Sequence, residues 1–392
     1  MRRLVLVLAF LLVATGARAQ KPSAPEVQKP VAPEEIERLR REIAQEERSS
    51  LDFVLDGRTE SGDLNNKLGF LGFGTRLNLK HGPATTFHLT ARYTPYRTRD
   101  DVVQESGTTL ALGVQSRRSD RLEYEWEVGA TRFSNDSWNG TGLVGVTVRP
   151  SERLRYSLRA SRSFVEESML SAVGLRPVLG PFAGARVGAV TDNRVAAALT
   201  LQLPHRTDVV GEGALGVRVG SNTGTNFFKR AGGGPAWNAV ARTPEEKVSL
   251  FRLGVWFEYF GFDEDRLGYG GASLLDSQGQ PVPISELGSD GISPDPAPAN
   301  PGVGGYFSPH RFTSTVGRVD MRGRARDGVD YIITAFLGTQ SYTGADRRGA
   351  GGLAVKVTLR ASDRLSVPLA YTWDDYGPFT QQMFQARVVI HF

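Results

Sequence analysis

From Leu51 to the carboxy terminus, apolar side chains alternate with polar or small ones in segments of roughly ten residues, each closed by turn-forming residues. Leu353, Val355, Val357 and Leu359 alternate with Ala354, Lys356, Thr358 and Arg360, and Leu365, Val367, Leu369, Tyr371 and Trp373 alternate with Ser366, Pro368, Ala370, Thr372 and Asp374. Leu154, Tyr156, Leu158 and Ala160 alternate in the same way with Arg155, Ser157, Arg159 and Ser161. A period of two belongs to an extended strand whose faces meet different surroundings, one suited to lipid and one to water. Divided on this pattern, the chain has candidate strands at 51–60, 67–80, 85–98, 107–118, 121–134, 141–149, 153–164, 195–204, 208–220, 227–242, 247–262, 311–325, 329–342, 350–361, 364–374 and 379–392. Sixteen is an even number, as a single-chain antiparallel membrane barrel requires.

The connections test that reading independently. Every link from an even to an odd strand is tight, including 118–122, 150–154, 204–208, 326–330 and 361–365. Three of these links carry Ser-(Asp/Glu)-Arg-Leu, at 119–122, 151–154 and 362–365, a small internal repeat confined to one side of the barrel. The two long links, 165–194 and 263–310, both join an odd strand to the next even one and so fall together on the other side. Outer-membrane barrels segregate their connections in this manner, short on the periplasmic side and long outside. The 263–310 link, rich in Pro, Gly and Asp, is expected to fold over or into the outer mouth as a gate. The fold expected is therefore all-β: a transmembrane antiparallel up-and-down barrel of about sixteen strands over 51–392, both termini in the periplasm.

Ahead of the barrel, Met1, Arg2 and Arg3 are followed by an apolar run from Leu4 to Val13 and by Ala17, Arg18 and Ala19. That is the pattern of a secretory signal peptide over 1–19, cleaved before Gln20. Residues 20–33 hold four prolines and read as an extended periplasmic spacer. Residues 34–50 read as a short amphipathic helix with Ile36, Leu39 and Ile43 on one stripe. The stripe could dock on a partner, sit in a pore mouth or pair with a second copy of itself.

Composition narrows the functions. The 392 residues include no cysteine, which excludes disulfides, thiolate metal sites and a cysteine nucleophile. The formal charge of +5 falls to about +2 once Arg2, Arg3 and Arg18 leave with the signal, which argues against a nucleic-acid partner. Mean hydropathy is -0.27, too polar for a bundle of membrane helices. The five histidines show no metal-ligand spacing, no cofactor is expected, and the chain is not expected to be an enzyme. The sequence 211–216 fits G-x-G-x-x-G letter for letter, but it lies within an alternating segment with Val209, Leu215, Val217 and Val219 on one face. A dinucleotide fingerprint needs a strand before it and a helix opening within it.

The lumen holds the candidate contact residues. Glu123, Glu125 and Glu127 share the inner face of one strand, about 6.6 Å apart from one to the next. That separation suits either the carboxylate pair of an inverting glycosidase or a charged pore wall loosely paired with Arg155 and Arg159. Arg76, Arg92, Arg218, Arg252, Lys356, Arg360 and Arg387, with Glu212, Glu258 and Asp374, also face inward by alternation. Trp256 falls on the same face, where its ring could stack on a sugar or pack beneath the long loop. Of these, Arg155, Arg159, Trp256, Arg360 and the three glutamates are the expected substrate contacts.

Two motifs carry a family resemblance. Phe384, Ala386, Val388, Ile390 and Phe392 form an amphipathic last strand that ends in phenylalanine, which resembles the insertion signal read by the barrel-assembly machinery. Gly304, Gly305, Tyr306, Phe307, Ser308 and Pro309, just before a strand, resemble a motif of the barrel region of cellulose synthase operon protein C, the outer-membrane exporter of bacterial cellulose. The exporter of poly-N-acetylglucosamine, also a sixteen-strand barrel, is the nearest wider comparison. The resemblance implies passage of a growing polysaccharide through the lumen, with outer-membrane lipid around it. Those exporters carry a long tetratricopeptide array before the barrel, whereas 20–50 is shorter than one such repeat. A separate periplasmic bridging protein is therefore expected, and an exopolysaccharide or capsular polysaccharide porin is the function expected. The alternative is a general or nutrient-uptake diffusion porin, and a barrel-embedded hydrolase using the glutamate row is a third reading.

Overall fold

The computed structural model describes residues 48–62, 68–98, 104–167, 169–174, 186–244, 246–264, 306–343, 345–376 and 379–392. The expected signal peptide and spacer, nearly all of the expected helix and most of the expected gating loop lie outside these residues. Sixteen strands follow in chain order. They are β1 (Ser50–Gly62), β2 (Leu68–His81), β3 (Thr85–Thr98), β4 (Gln104–Ser119), β5 (Leu122–Phe133), β6 (Trp138–Ser151), β7 (Leu154–Phe164) and β8 (Gly188–Leu203). The second half comprises β9 (Thr207–Ser221), β10 (Thr225–Ala241), β11 (Leu250–Phe262), β12 (Phe312–Arg326), β13 (Val329–Tyr342), β14 (Ala345–Ser362), β15 (Leu365–Tyr376) and β16 (Phe379–His391). One helical turn, α1 (Met169–Ala172), lies between β7 and β8.

Every strand pairs antiparallel with its chain neighbours, and β1 closes on β16 with Phe53 opposite Val388 and Gly62 opposite Phe379. Closure leaves no strand edge, the condition for a sheet to cross a bilayer. The two faces divide as the alternation requires. Phe53, Phe73, Leu89, Leu112, Val128, Leu158, Leu215, Phe257 and Val388 all project outward and exposed, and Leu337 is 77% exposed. An apolar belt running round the whole barrel is far larger than any patch a water-soluble monomer shows, and a bilayer is the surrounding that accommodates it.

At the end where the chain enters and leaves the barrel, called here the termini end, the turns are short. The Ser-(Asp/Glu)-Arg-Leu repeat proves to be a turn device. In each copy the Ser faces the Leu across a register shift, at Ser119, Ser151 and Ser362. In two copies the Ser hydroxyl accepts the backbone N–H of the Arg, from Arg121 at 3.3 Å and Arg364 at 3.2 Å. The β8–β9 turn is less comfortable, because His205 and Arg206 both take positive φ, 60° and 61°.

Where they are described, the two long connections leave and re-enter the barrel at the opposite, loop end, as expected. One expectation is corrected there. β8 begins at Gly188, seven residues before the predicted start, because Val190 and Asp192 turn inward and Thr191 pairs with both Phe164 of β7 and Val219 of β9. The Gly, Asp and Asn letters of this stretch read as loop, yet Val190 is 1% exposed in a cluster with Val165, Phe262 and Tyr306. The G-x-G-x-x-G letters lie wholly within β9, in strand.

Candidate functional site: a lumen of cross-strand ion pairs

The inner wall is organised by charge pairs that skip a strand. Glu125 on β5 and Arg159 on β7 both lie opposite Gly145 of β6 and bond directly above it. His88 on β3 and Glu127 on β5 both lie opposite Gly113 of β4 and meet at 2.8 Å. Asp56 on β1 reaches Arg92 on β3 at 2.5 Å over Gly72. A glycine on the middle strand leaves the space these side chains occupy, since a Cβ at Gly113 would strike the His88 ring and one at Gly145 would come within 2.8 Å of the Glu125 carboxylate.

Further round, Arg230 sits between Glu212 at 3.3 Å and Glu258 at 2.7 Å. Arg252 bonds Asp208 at 3.1 Å and Asn238 at 2.9 Å, and Asp330 takes Arg324 at 2.9 Å and Arg360 at 3.0 Å. Glu125, Arg159, Glu212, Arg230 and Glu258 line a cavity of about 730 Å3 that also draws on Arg58, Arg155, Arg194 and Gln381.

All seven expected contact residues face the lumen, but they are not equivalent. Glu123 is held by Gln115 at 2.8 Å and by Arg149 at 3.5 Å, Glu125 by Arg159, and Glu127 by His88. Each glutamate thus has its own partner. The pore-wall reading of the row accounts for all three, with the refinement that Arg159 pairs with Glu125 whereas Arg155 has no carboxylate partner among the described residues. Arg360 is committed to Asp330. Trp256 points inward opposite Val316 and beside Gly232, half-buried, with its ring available to the lumen.

The Tyr306 motif is structural. Tyr306 is 1% and Ser308 0% exposed, and the Pro309 carbonyl accepts the Phe262 N–H at 3.0 Å. Together they fasten the chain entering β12 to the end of β11. The Tyr306 hydroxyl accepts Asn226 Nδ2 at 3.2 Å, and its ring packs on the Arg218 guanidinium, 4.6 Å from the ring centre. Arg218 also covers Phe262 and pairs with Glu167 at 3.0 Å, while Glu167 accepts the Phe307 N–H at 2.5 Å. Glu166, next in chain, accepts the Tyr96 hydroxyl of β3 at 3.0 Å. The segment after β7 is thereby tied to β3 on one side and to β9 and the β12 approach on the other, narrowing the loop end of the lumen. Sequence reasoning missed His88, Glu166 and Glu167, since the partners of each are 39 to 140 positions away. Phe392 extends beyond β16, its ring exposed and its N–H bonded to Ser49 O at 3.0 Å.

Among solved structures, a bacterial polysaccharide outer membrane secretin superposes with a TM-score of 0.58 at 11% identity, covering 88% of this chain and 99% of that one. The monoaromatic hydrocarbon channel CymD gives 0.41 at 10% identity over 88% and 89%, and OpdK of Pseudomonas aeruginosa gives 0.41 at 11% over 88% and 99%. At such identities the likeness is one of fold. No curated protein matches the sequence. The family described as Cellulose synthase operon protein C C-terminus matches residues 61–271, from the end of β1 to beyond β11. That stretch is more than half of the chain and includes most of the glycine-bridged lumen wall, and the protein belongs to this family.

Proposed function

We propose that the barrel is an outer-membrane porin through which an exopolysaccharide or capsular polysaccharide is secreted, with both termini in the periplasm and a separate periplasmic protein delivering the polymer. The observation that carries this reading is the pairing of the inner wall. A polymer in transit needs many weak contacts in series, because one tight site would stall it. Carboxylates already satisfied by arginine or histidine offer shallow polar contacts of that kind, and ion pairs as exposed as Arg159 with Glu125 hold each other by only about 0–1 kcal/mol. Trp256 supplies an aromatic face for sugar C–H groups.

The test is genetic and chemical together. Deleting the gene should abolish one surface polysaccharide without altering uptake of small solutes. The combined change Arg155→Ala, Arg159→Ala and Trp256→Ala should lower export while heat-modifiable migration shows a folded barrel. A deletion strain that keeps every surface polysaccharide but fails to grow on a dilute nutrient would overturn the exporter in favour of a diffusion porin.

A further inference from the structure

The pairing of charges in the lumen is one-sided. Asp56, Glu123, Glu125, Glu127, Asp192, Asp208, Glu212, Glu258, Asp320 and Asp330 each have an arginine or histidine within 4.0 Å. The converse does not hold. Arg194, toward the loop end of β8, bonds Ser161 and has no carboxylate partner among the described residues, and neither have, among others, five inward-facing cations nearer the termini end, Arg76, Arg155, Arg322, Lys356 and Arg387. Four of these five lie on the arc that runs from β12 through β16 and β1 to β2, and Arg155 stands apart from it on β7. Each lies within the last six positions before its strand's termini end, or at its start for β7.

Two of the five are held in place by neutral amides. Arg76 Nε donates to Asn78 Oδ1 at 3.1 Å, and Arg387 donates from Nε and Nη2 to Gln385 Oε1 at 3.0 and 2.7 Å. An amide orients a guanidinium without cancelling its charge. One inward acid without an arginine lies at this end of the wall. Asp52 is 6% exposed, opposite Arg76 in register and bonded by neutral Ser50 and Asn78, so its charge offsets one of the five, while Asp374 stands at the loop end of β15. A net excess of one sign along the wall of a water-filled bore with low-dielectric walls focuses its field on whatever enters.

We infer that the termini end of the lumen is an anion-selecting intake, and that the exported polymer is an acidic polysaccharide bearing carboxylate or phosphate groups. The inference rests on the export reading and names its substrate class. Repeating anionic groups would pass from one guanidinium or ammonium to the next, with the paired wall above presenting balanced charge, so the polymer is drawn in without a deep resting site.

The experiment uses the full chain in planar bilayers, with probes added on each side in turn. Under a salt gradient the reversal potential should show anion preference. Oligogalacturonate or a phosphate-bearing oligosaccharide should block the current at about tenfold lower concentration than a cello-oligosaccharide of equal length, and the first two probes compared with each other separate carboxylate from phosphate. The variant Arg76→Gln, Lys356→Gln, Arg387→Gln, checked for heat-modifiable migration, should lose both the preference and the difference in block. Cation preference, or equal block by the neutral and acidic probes, would overturn the inference. Those results leave the gene-deletion phenotype untouched, so failure of the substrate class and failure of the export reading are separately visible.

Discussion

His88 and Glu127 lie on strands separated by a third, yet Nε2 and Oε2 meet at 2.8 Å because the residue between them in register is Gly113. The same arrangement joins Glu125 to Arg159 over Gly145. A side chain on the middle strand would part both pairs. Gly113→Val should therefore lower barrel stability by about 1–3 kcal/mol, the cost of a lost charge-assisted bond plus crowding. His88→Gln, which keeps a donor of similar reach, should cost less. Urea unfolding in liposomes measures both, and a Gly113→Val barrel as stable as wild type would show that the pair contributes nothing.

The neck at the loop end depends on two adjacent acids that reach opposite ways, Glu166 to Tyr96 and Glu167 to Arg218 and the Phe307 N–H. Releasing them should free the segment after β7 from the lumen. The double change Glu166→Ala, Glu167→Ala is expected to raise single-channel conductance in planar bilayers, and Arg218→Ala should do so partly, because Tyr306 and Phe262 lose the cation between them. Conductance equal to wild type would mean the segment is held by its apolar contacts alone.

How much of this was legible in the sequence follows from what enforces each part. A bilayer demands an apolar residue at every second position and lets no backbone edge stand open, so the strands could be read to within a few residues. β8 escaped in part because Val190 and Asp192 serve a buried cluster at the loop end, where no lipid imposes alternation. The lumen faces of Arg155, Arg159, Trp256 and Arg360 followed from parity. Their partners did not, because a pair such as Asp56 and Arg92 is fixed by the register of two successive hairpins, which depends on turn geometry. Inward-facing glycines at Gly113 and Gly145 were the signal available, since a glycine in a strand marks a close approach by something else.

His205 and Arg206 adopt the left-handed conformation together, at φ of 60° and 61°, in the turn between β8 and β9. Turns with two such residues favour Asn followed by Gly. Replacing His205→Asn with Arg206→Gly should relieve about 1 kcal/mol per residue of backbone strain, partly offset by the added freedom of the unfolded glycine. The midpoint of unfolding should rise, and a fall would show that the Arg206 contact to the Ala239 carbonyl, 3.5 Å, outweighs the strain.

Phe392 stands just beyond β16, the strand that must find β1 to close the barrel. Its backbone N–H reaches Ser49 O at 3.0 Å, just ahead of the first rung, where Ser50 faces His391. Its ring is 63% exposed on the same outward face as Val388 and Ile390, in the position of a group presented to something other than this chain. One hydrogen bond at a fraying end contributes at most about 1 kcal/mol, so removal of Phe392 should hardly change the stability of a barrel already formed. Its effect should fall on assembly. Deleting Phe392, or changing Phe392→Asp, is expected to cut the yield of heat-modifiable protein in the outer membrane while export across the inner membrane continues. Refolding of the same variants from urea into detergent, where no assembly machinery acts, should proceed nearly as in wild type. Normal yield in cells would remove Phe392 as an insertion signal, and failure in detergent as well would move its role from recognition to closure of the barrel.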